Sequence, residues 1–325
     1  MTWQQAQSAA MLAAAQAHAD LRVNRREPFV DVVGALAASG VAHLMWRPMG
    51  TLFGAYLKQP GVPVGVLVNN GIPFPARRMT LAHELGHHWF GHSTSLDDEH
   101  TAGGSGGGRA RRWSDREKLA ESFAAWFLMP APAVQAAVRL VTGGPPLSTP
   151  EQAYQLSLLM GVPYRTLVRQ LQTVRQVSSQ TARAWAAVQP GRLKARAVAG
   201  FPAQASGRAD VFVVAPTYDQ VTLVVKQGDR VLFDARPAPA PASGVGASQG
   251  WPQWLVPVVG SGEGTSVAFD VLASSPDSGS ARECEIEVEA DPELKLVTLT
   301  MASGGTVQVR VASRPRGLEQ GRSLG

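Results

Sequence analysis

Hydrophobic and polar positions along this chain follow two periods, a helical one up to about Gln189 and an alternating one beyond it. Residues 3–21 are Ala-rich with Gln and His at intervals, which predicts a helix. Val30, Val33, Leu36 and Ala37 fall at helical spacing and stop at Gly40, a residue suited to a helix C-terminal cap. The apolar run at 64–68 precedes Asn69-Asn70-Gly71, as for a strand entering a turn. After Pro73 and Pro75, the Pro-free stretch 79–88 predicts a helix opening near Thr80. A glycine-rich segment, 103–108, then leads to Ser114. Glu117 follows three residues later, the spacing of a capping box, and the helix it opens reaches Met129 before Pro130.

Residues 143–150 (GGPPLSTP) form a linker. Residues 151–160, the turn Gly161-Val162-Pro163 and residues 164–176 have the pattern of a helix-turn-helix. Strand candidates follow at 210–214, 220–225 and 230–233, and at 283–289, where Cys284, Ile286 and Val288 share one face. Segments 294–301 and 306–311 lie at hairpin spacing. The expected fold class is α+β: a mostly helical domain with a small sheet over 1–147, a helix-turn-helix-like module over 148–188, and a β-rich domain over 189–325.

Composition narrows the classes. The 325 residues are 45% hydrophobic with a net charge of +5, which argues against global disorder. No run of about 18 apolar residues occurs, so no membrane span is expected. The start of the chain has no positive charge before Arg22 and reads as a helix, not a signal peptide. One cysteine, Cys284, excludes an intramolecular disulfide and a Cys-rich zinc module, and a cytoplasmic location is the expectation. The pI of about 9.7 invites a nucleic-acid partner. Divided by region, residues 1–150 carry 13 Lys/Arg against 10 Asp/Glu, 151–200 carry 7 against 1, and 201–325 carry 10 against 14. The basicity therefore belongs mostly to 151–200.

Five of the seven histidines fall between His83 and His100, and they include His83-Glu84-Leu85-Gly86-His87. On a helix, residues four apart differ by about 40° in azimuth and about 6 Å in rise, so both imidazoles reach one metal ion. Glu84, one position on, is placed to take a proton from a water whose pKa zinc has lowered. A metzincin would need Gly and His where this chain has Phe90 and Ser93. His92, Asp97, Asp98 and His100 carry suitable donor atoms for a third ligand. Glu117 is the better candidate, with Glu121 on the same helical face to hold the outer nitrogen of a ligand histidine.

Residues 78–87, Arg-Met-Thr-Leu-Ala-His-Glu-Leu-Gly-His, and residues 117–130, Glu-Lys-Leu-Ala-Glu-Ser-Phe-Ala-Ala-Trp-Phe-Leu-Met-Pro, resemble the two signature segments of the ImmA/IrrE metallo-endopeptidases. The resemblance covers roughly residues 64–130. It implies a gluzincin-like site with His83, His87 and Glu117 as zinc ligands (manganese being an alternative metal) and Glu84 as general base. It also implies a protein substrate, a helix-turn-helix repressor, whose cleavage derepresses stress-response or mobile-element genes. A GAF-like sensor after the helical module is implied by position alone. The departures are Met79 for an aromatic residue, Glu121 for Asn, and the glycine-rich insert.

Other residues have two readings each. His88 and His92 are candidates to stabilise an oxyanion, with Tyr56, Arg77 and Arg78 behind them. Against this stands a plain surface role. Arg165 and Arg169, four apart with Gln172 and Gln176, suit phosphate or partner contact, but such a helix pair also packs structurally. The alternative to a protease is thus a DNA- or protein-binding regulator with a structural metal site. Trp89, Trp113 and Trp126 are read as core. Glu283, Glu285, Glu287 and Glu289 are read as a solvated strand face.

Overall fold

The computed structural model describes residues 1–98, 113–197, 209–214, 218, 221–225, 229–234, 268–272, 285–290, 294–300, 306–313 and 322–323. In chain order the elements are α1 (Trp3–Asp20), α2 (Val32–Ala38), β1 (His43–Arg47), β2 (Leu52–Leu57), β3 (Gly65–Asn69), α3 (Phe74–Trp89), β4 (Ser95–Asp98), α4 (Asp115–Leu128), α5 (Ala131–Thr142), α6 (Pro150–Met160) and α7 (Tyr164–Thr173). They continue with α8 (Ser179–Ala186), α9 (Pro190–Ala197), β5 (Val211–Val214), β6 (Val221–Val225), β7 (Arg230–Asp234), β8 (Ala268–Leu272), β9 (Glu285–Ala290), β10 (Leu294–Thr300), β11 (Thr306–Ser313) and β12 (Arg322–Ser323). The fold class is α+β, as expected. Two compact units divide the chain. One comprises Met1–Ala136, Met160–Gln170 and Pro315–Gly325, and the other Ala137–Leu159 and Leu171–Arg314.

In the first unit, the sheet order is β12-β1-β3-β2-β4. β1 and β3 are parallel, while β2 runs antiparallel to both β3 and β4. Asn69 holds the end of β3 by donating from Nδ2 to Leu52 O (2.7 Å) and accepting at Oδ1 from Gly71 N (2.8 Å). Helix α1 opens with a full capping box between Thr2 and Gln5. It buries Ala6, Ala10, Ala14 and Ala17, a narrow face that allows close packing on α4. His18 ends that face, its ring stacked on Phe127 and its Nε2 2.8 Å from Phe127 O.

Helix α3, which carries the histidines, starts at Phe74 and not near Thr80. Pro75 sits in the first turn, where its missing N–H has no partner to lose and its fixed φ already suits a helix. The prolines thus open α3 instead of holding it off. Helix α2 begins at Val32, capped by Asp31, and ends as expected: Gly40 has φ +90°, and Val41 N bonds Leu36 O.

In the second unit, Gln155 of α6 joins the edge of β5 as a neighbouring strand would. Its Nε2 donates to Val211 O (2.9 Å) and its Oε1 accepts from Val213 N (2.8 Å). Lys194 of α9 pairs with Asp210 at 2.9 Å. β5, β7 and β8 form a parallel sheet. β10 and β11 pair antiparallel, Leu294 opposite Ala312 through Thr300 opposite Thr306, the hairpin that their spacing suggested. The order of the second sheet is β6-β11-β10-β9.

Helices α5, α8 and α9 lie where the hydrophobic pattern pointed to none. Pro130 and Pro132 mask the start of α5, although Ala133, Val134, Ala137 and Val138 are buried at helical spacing. The last two are short, and Leu193 is the buried side chain of α9. The change of period therefore falls beyond Ala197, not at Gln189. The 103–108 segment, His100, Glu283 and Cys284 lie outside the described residues. No single helix among those described is long and apolar enough to cross a membrane.

Candidate metal centre

The two halves of the site come from α3 and α4, and a glycine lets them meet. A Cβ on Gly86 would stand 3.1 Å from the Ala120 Cα and 3.2 Å from Phe123 Cδ1. A larger residue would force the helices apart. With Gly86 there, His83 and His87 face the first turns of α4. The Nε2 atoms of His83 and His87 are 3.0 Å apart, and Glu117 Oε2 lies 3.1 Å from the first and 3.5 Å from the second. Ligand atoms about 2.0–2.1 Å from a tetrahedral zinc are about 3.3 Å from each other, so this triangle has the size of three zinc-ligand corners. Among the described residues these three side chains form the group able to hold a metal ion.

Ser114 caps α4, its Oγ accepting from Glu117 N at 3.2 Å. Only that half of the expected capping box forms in the usual way, because the Glu117 carboxylate turns to the two histidines. Burial would raise its pKa, but the hydrogen bonds with His83 and His87 outweigh that and hold it well below the usual carboxylate range. His87 is pushed down chiefly by burial, so it is neutral at pH 7.

The outer nitrogens of the two histidines have unlike neighbours. Glu121 Oε2 lies 3.5 Å from His83 Nδ1, the position expected for it. His92 Nδ1 lies 2.9 Å from His87 Nδ1. His92 therefore sits behind a candidate ligand, which corrects its assignment to an oxyanion. Burial, with His87 and Arg116 nearby, pulls it down to about 4. Glu84 is fully buried on α3, its Oε1 beside β2 where a Cβ on Gly54 would come within 2.8 Å of it. The same Cβ would strike Thr80 Cγ2. Gly54 was not among the expected site residues, although an isolated glycine inside a strand signals close approach of a neighbour.

Residues 61–140 match the family model of the peptidase M78 IrrE N-terminal-like domain. The span holds His83, Glu84, His87 and Glu117 together. This part of the chain is similar to the ImmA/IrrE family. A search of curated proteins returned no match. The match and the donor triangle together support a metallopeptidase-like role.

Around the IrrE-like site, other candidates take structural positions. His88 Nδ1 is 3.1 Å from the Tyr56 hydroxyl and its Nε2 2.9 Å from Ser39 O, so both ring nitrogens are engaged away from the donors. That removes His88 as an oxyanion stabiliser. Tyr56 is buried, and burial with the nearby Glu84 charge raises its pKa. Arg78 is an internal brace: it donates to Gly161 O (3.1 Å) and Val30 O (2.8 Å) and lies 3.7 Å over the Phe29 ring. Burial lowers its pKa to about 9, partly offset by Asp31. Arg77 lies over the Trp46 and Phe74 rings. Asp97 and Asp98 belong to β4, paired opposite Gly54 and Leu52. Arg165 and Arg169 are exposed on α7, while Leu167, Val168 and Leu171 are buried. Trp89 stacks near Phe123, and Trp126 donates to Gln7 Oε1 at 2.9 Å. Trp113 packs edge-on against Trp3.

Proposed function

We propose that the chain is a zinc-dependent endopeptidase of the cytosol whose substrate is a helix-turn-helix transcriptional repressor. Cleavage of that repressor releases stress-response or mobile-element genes. The observation that carries the hydrolytic reading is the triangle of His83, His87 and Glu117 at tetrahedral-edge distances, with Glu84 on the same helix. Two imidazoles and a carboxylate favour zinc, and manganese also suits such a set. Bound there, the ion supplies Lewis acidity at the scissile carbonyl and brings a water's pKa towards about 7. Glu84 takes the proton of the attacking water and returns it to the leaving amine. Glu121 orients His83. The choice of substrate rests on the likeness to the ImmA/IrrE family, and residues 189–325 serve as a sensor or partner-binding part.

The test is incubation of the zinc-loaded protein with helix-turn-helix repressors from the same organism. Wild type cuts one of them at one bond and a chelator stops the cut. Glu84→Gln keeps zinc and loses cleavage. If Glu84→Gln cuts at the wild-type rate, the assignment of the base fails.

The exposed Arg165 and Arg169 on α7 favour a second reading, a regulator that contacts DNA. That reading requires operator binding that Glu84→Gln leaves intact and that Arg165→Ala with Arg169→Ala weakens. The turn before α7 argues for a packing role instead, because Gly161 accepts from the buried Arg78.

A further inference from the structure

The end of α3 contains a device that the HExxH spacing does not reveal. Gly91 has φ +67°, a left-handed conformation that glycine adopts without steric cost. Gly91 N donates to His88 O (3.0 Å) and His92 N to His87 O (2.9 Å), the two bonds of a Schellman motif. The turn folds the chain back so that His92 stands over the helix it has just left. Its ring meets the His87 ring edge-on with centroids 5.0 Å apart and stacks on Phe90 at 5.7 Å. The two Nδ1 atoms are 2.9 Å apart.

A histidine that offers Nε2 to an ion carries its proton on Nδ1, and that proton needs an acceptor. For His83 a carboxylate stands on that side, Glu121 Oε2 at 3.5 Å. For His87 the acceptor is the His92 imidazole, which must then hold its own proton on Nε2. We propose that His92 is a positioning residue for the metal centre: it accepts the Nδ1 proton of His87 and locks the tautomer and ring angle that point His87 Nε2 at His83 and Glu117. This rests on the metallopeptidase reading. Gly91 serves it by placing His92, so the site extends past the motif to this turn.

The decisive measurement is zinc affinity, read by competition with a chromophoric chelator on the full chain, alongside the circular dichroism spectrum. His92→Phe keeps a ring against Phe90 but removes the acceptor, and zinc affinity should fall about 10–100-fold. His92→Gln restores an acceptor and should recover most of that loss. Gly91→Ala, which strains the turn, should lower affinity in the same direction. An affinity for His92→Phe within twofold of wild type overturns the proposal, as does a His92→Gln loss equal to that of His92→Phe. Should His92→Phe fail to fold, the wild type decides. In the zinc-loaded protein, NMR should show a nitrogen–nitrogen coupling across the bond between the two Nδ1 atoms, and its absence overturns the assignment. His83→Ala separates the two levels of argument. If it abolishes zinc binding while His92→Phe does not, only the role of His92 falls. If His83→Ala also binds zinc like wild type, the metal centre itself is misplaced.

Discussion

Helix α4 is gripped by α1 along one stretch and by α3 along another, and both contacts depend on residues with little or no side chain. On α1 the contact is a stripe of four buried alanines ending in His18. On α3 it is one glycine, Gly86, against Ala120 and Phe123. The first contact holds apolar surface and tolerates a small shift without chemical consequence. The second sets the spacing of three donor atoms, because His83 and His87 ride on one helix and Glu117 on the other. Both contacts on α4 are close-packed, and of the two the one at Gly86 is tied to function.

The largest expected effect lies on the α3 side. Glu84→Gln should lower peptide hydrolysis at least about 100-fold, read by the rate of product formation. Zinc stoichiometry and melting temperature should stay at wild type. Gly86→Ala comes next. The new methyl group must push against Ala120, so zinc affinity should drop about tenfold or more, with about 1–3 kcal/mol lost in a denaturant titration. Ala10→Leu breaks the other contact. It should cost a similar amount of stability, again about 1–3 kcal/mol, while the zinc affinity of the folded protein stays within twofold of wild type. An equal loss of affinity in both variants would erase the contrast between the two contacts.

The smallest effect concerns pH. Burial lowers the His18 pKa below 6.5, Arg25 adds to this, and the hydrogen bond to Phe127 O only partly offsets it. The unfolded chain therefore binds a proton near pH 6.5 that the folded chain refuses, and stability falls as pH drops from there towards the folded value. His87 and His92 slope the same way, so the comparison must be between variants. The melting temperature of His18→Gln should fall less than that of wild type between about pH 7 and about pH 5.

Much of the site was legible in the sequence because its chemistry is local. Spacing alone puts His83 and His87 on one helical face, and the Ser114 cap fixes where α4 begins. Glu121 was found by the same helical arithmetic from Glu117. What spacing does not carry is the return of the chain after a helix. His88 and His92 look like a second i, i+4 pair, yet Gly91 ends α3 between them and sends one behind His87 while the other bonds Tyr56 and Ser39. Arg78 is similar: a charged residue beside the motif looks available to a substrate, and only the fold shows its two carbonyl partners. Prolines misled in the opposite sense, since a helix accepts them in its first turn. Short helices such as α8 and α9 bury too few residues for their period to register.

The turn of Glu117 away from its own helix cap has a consequence for the arrival of an ion. Structural metal sites commonly expel protons as they fill, and affinity then slopes with acidity. Here Glu117 is already ionised, and His87 is already neutral at pH 7. Two of the three donors have no proton to surrender near neutrality. Protons released near neutrality on zinc uptake should therefore come from outside these two side chains, the ion's own water included.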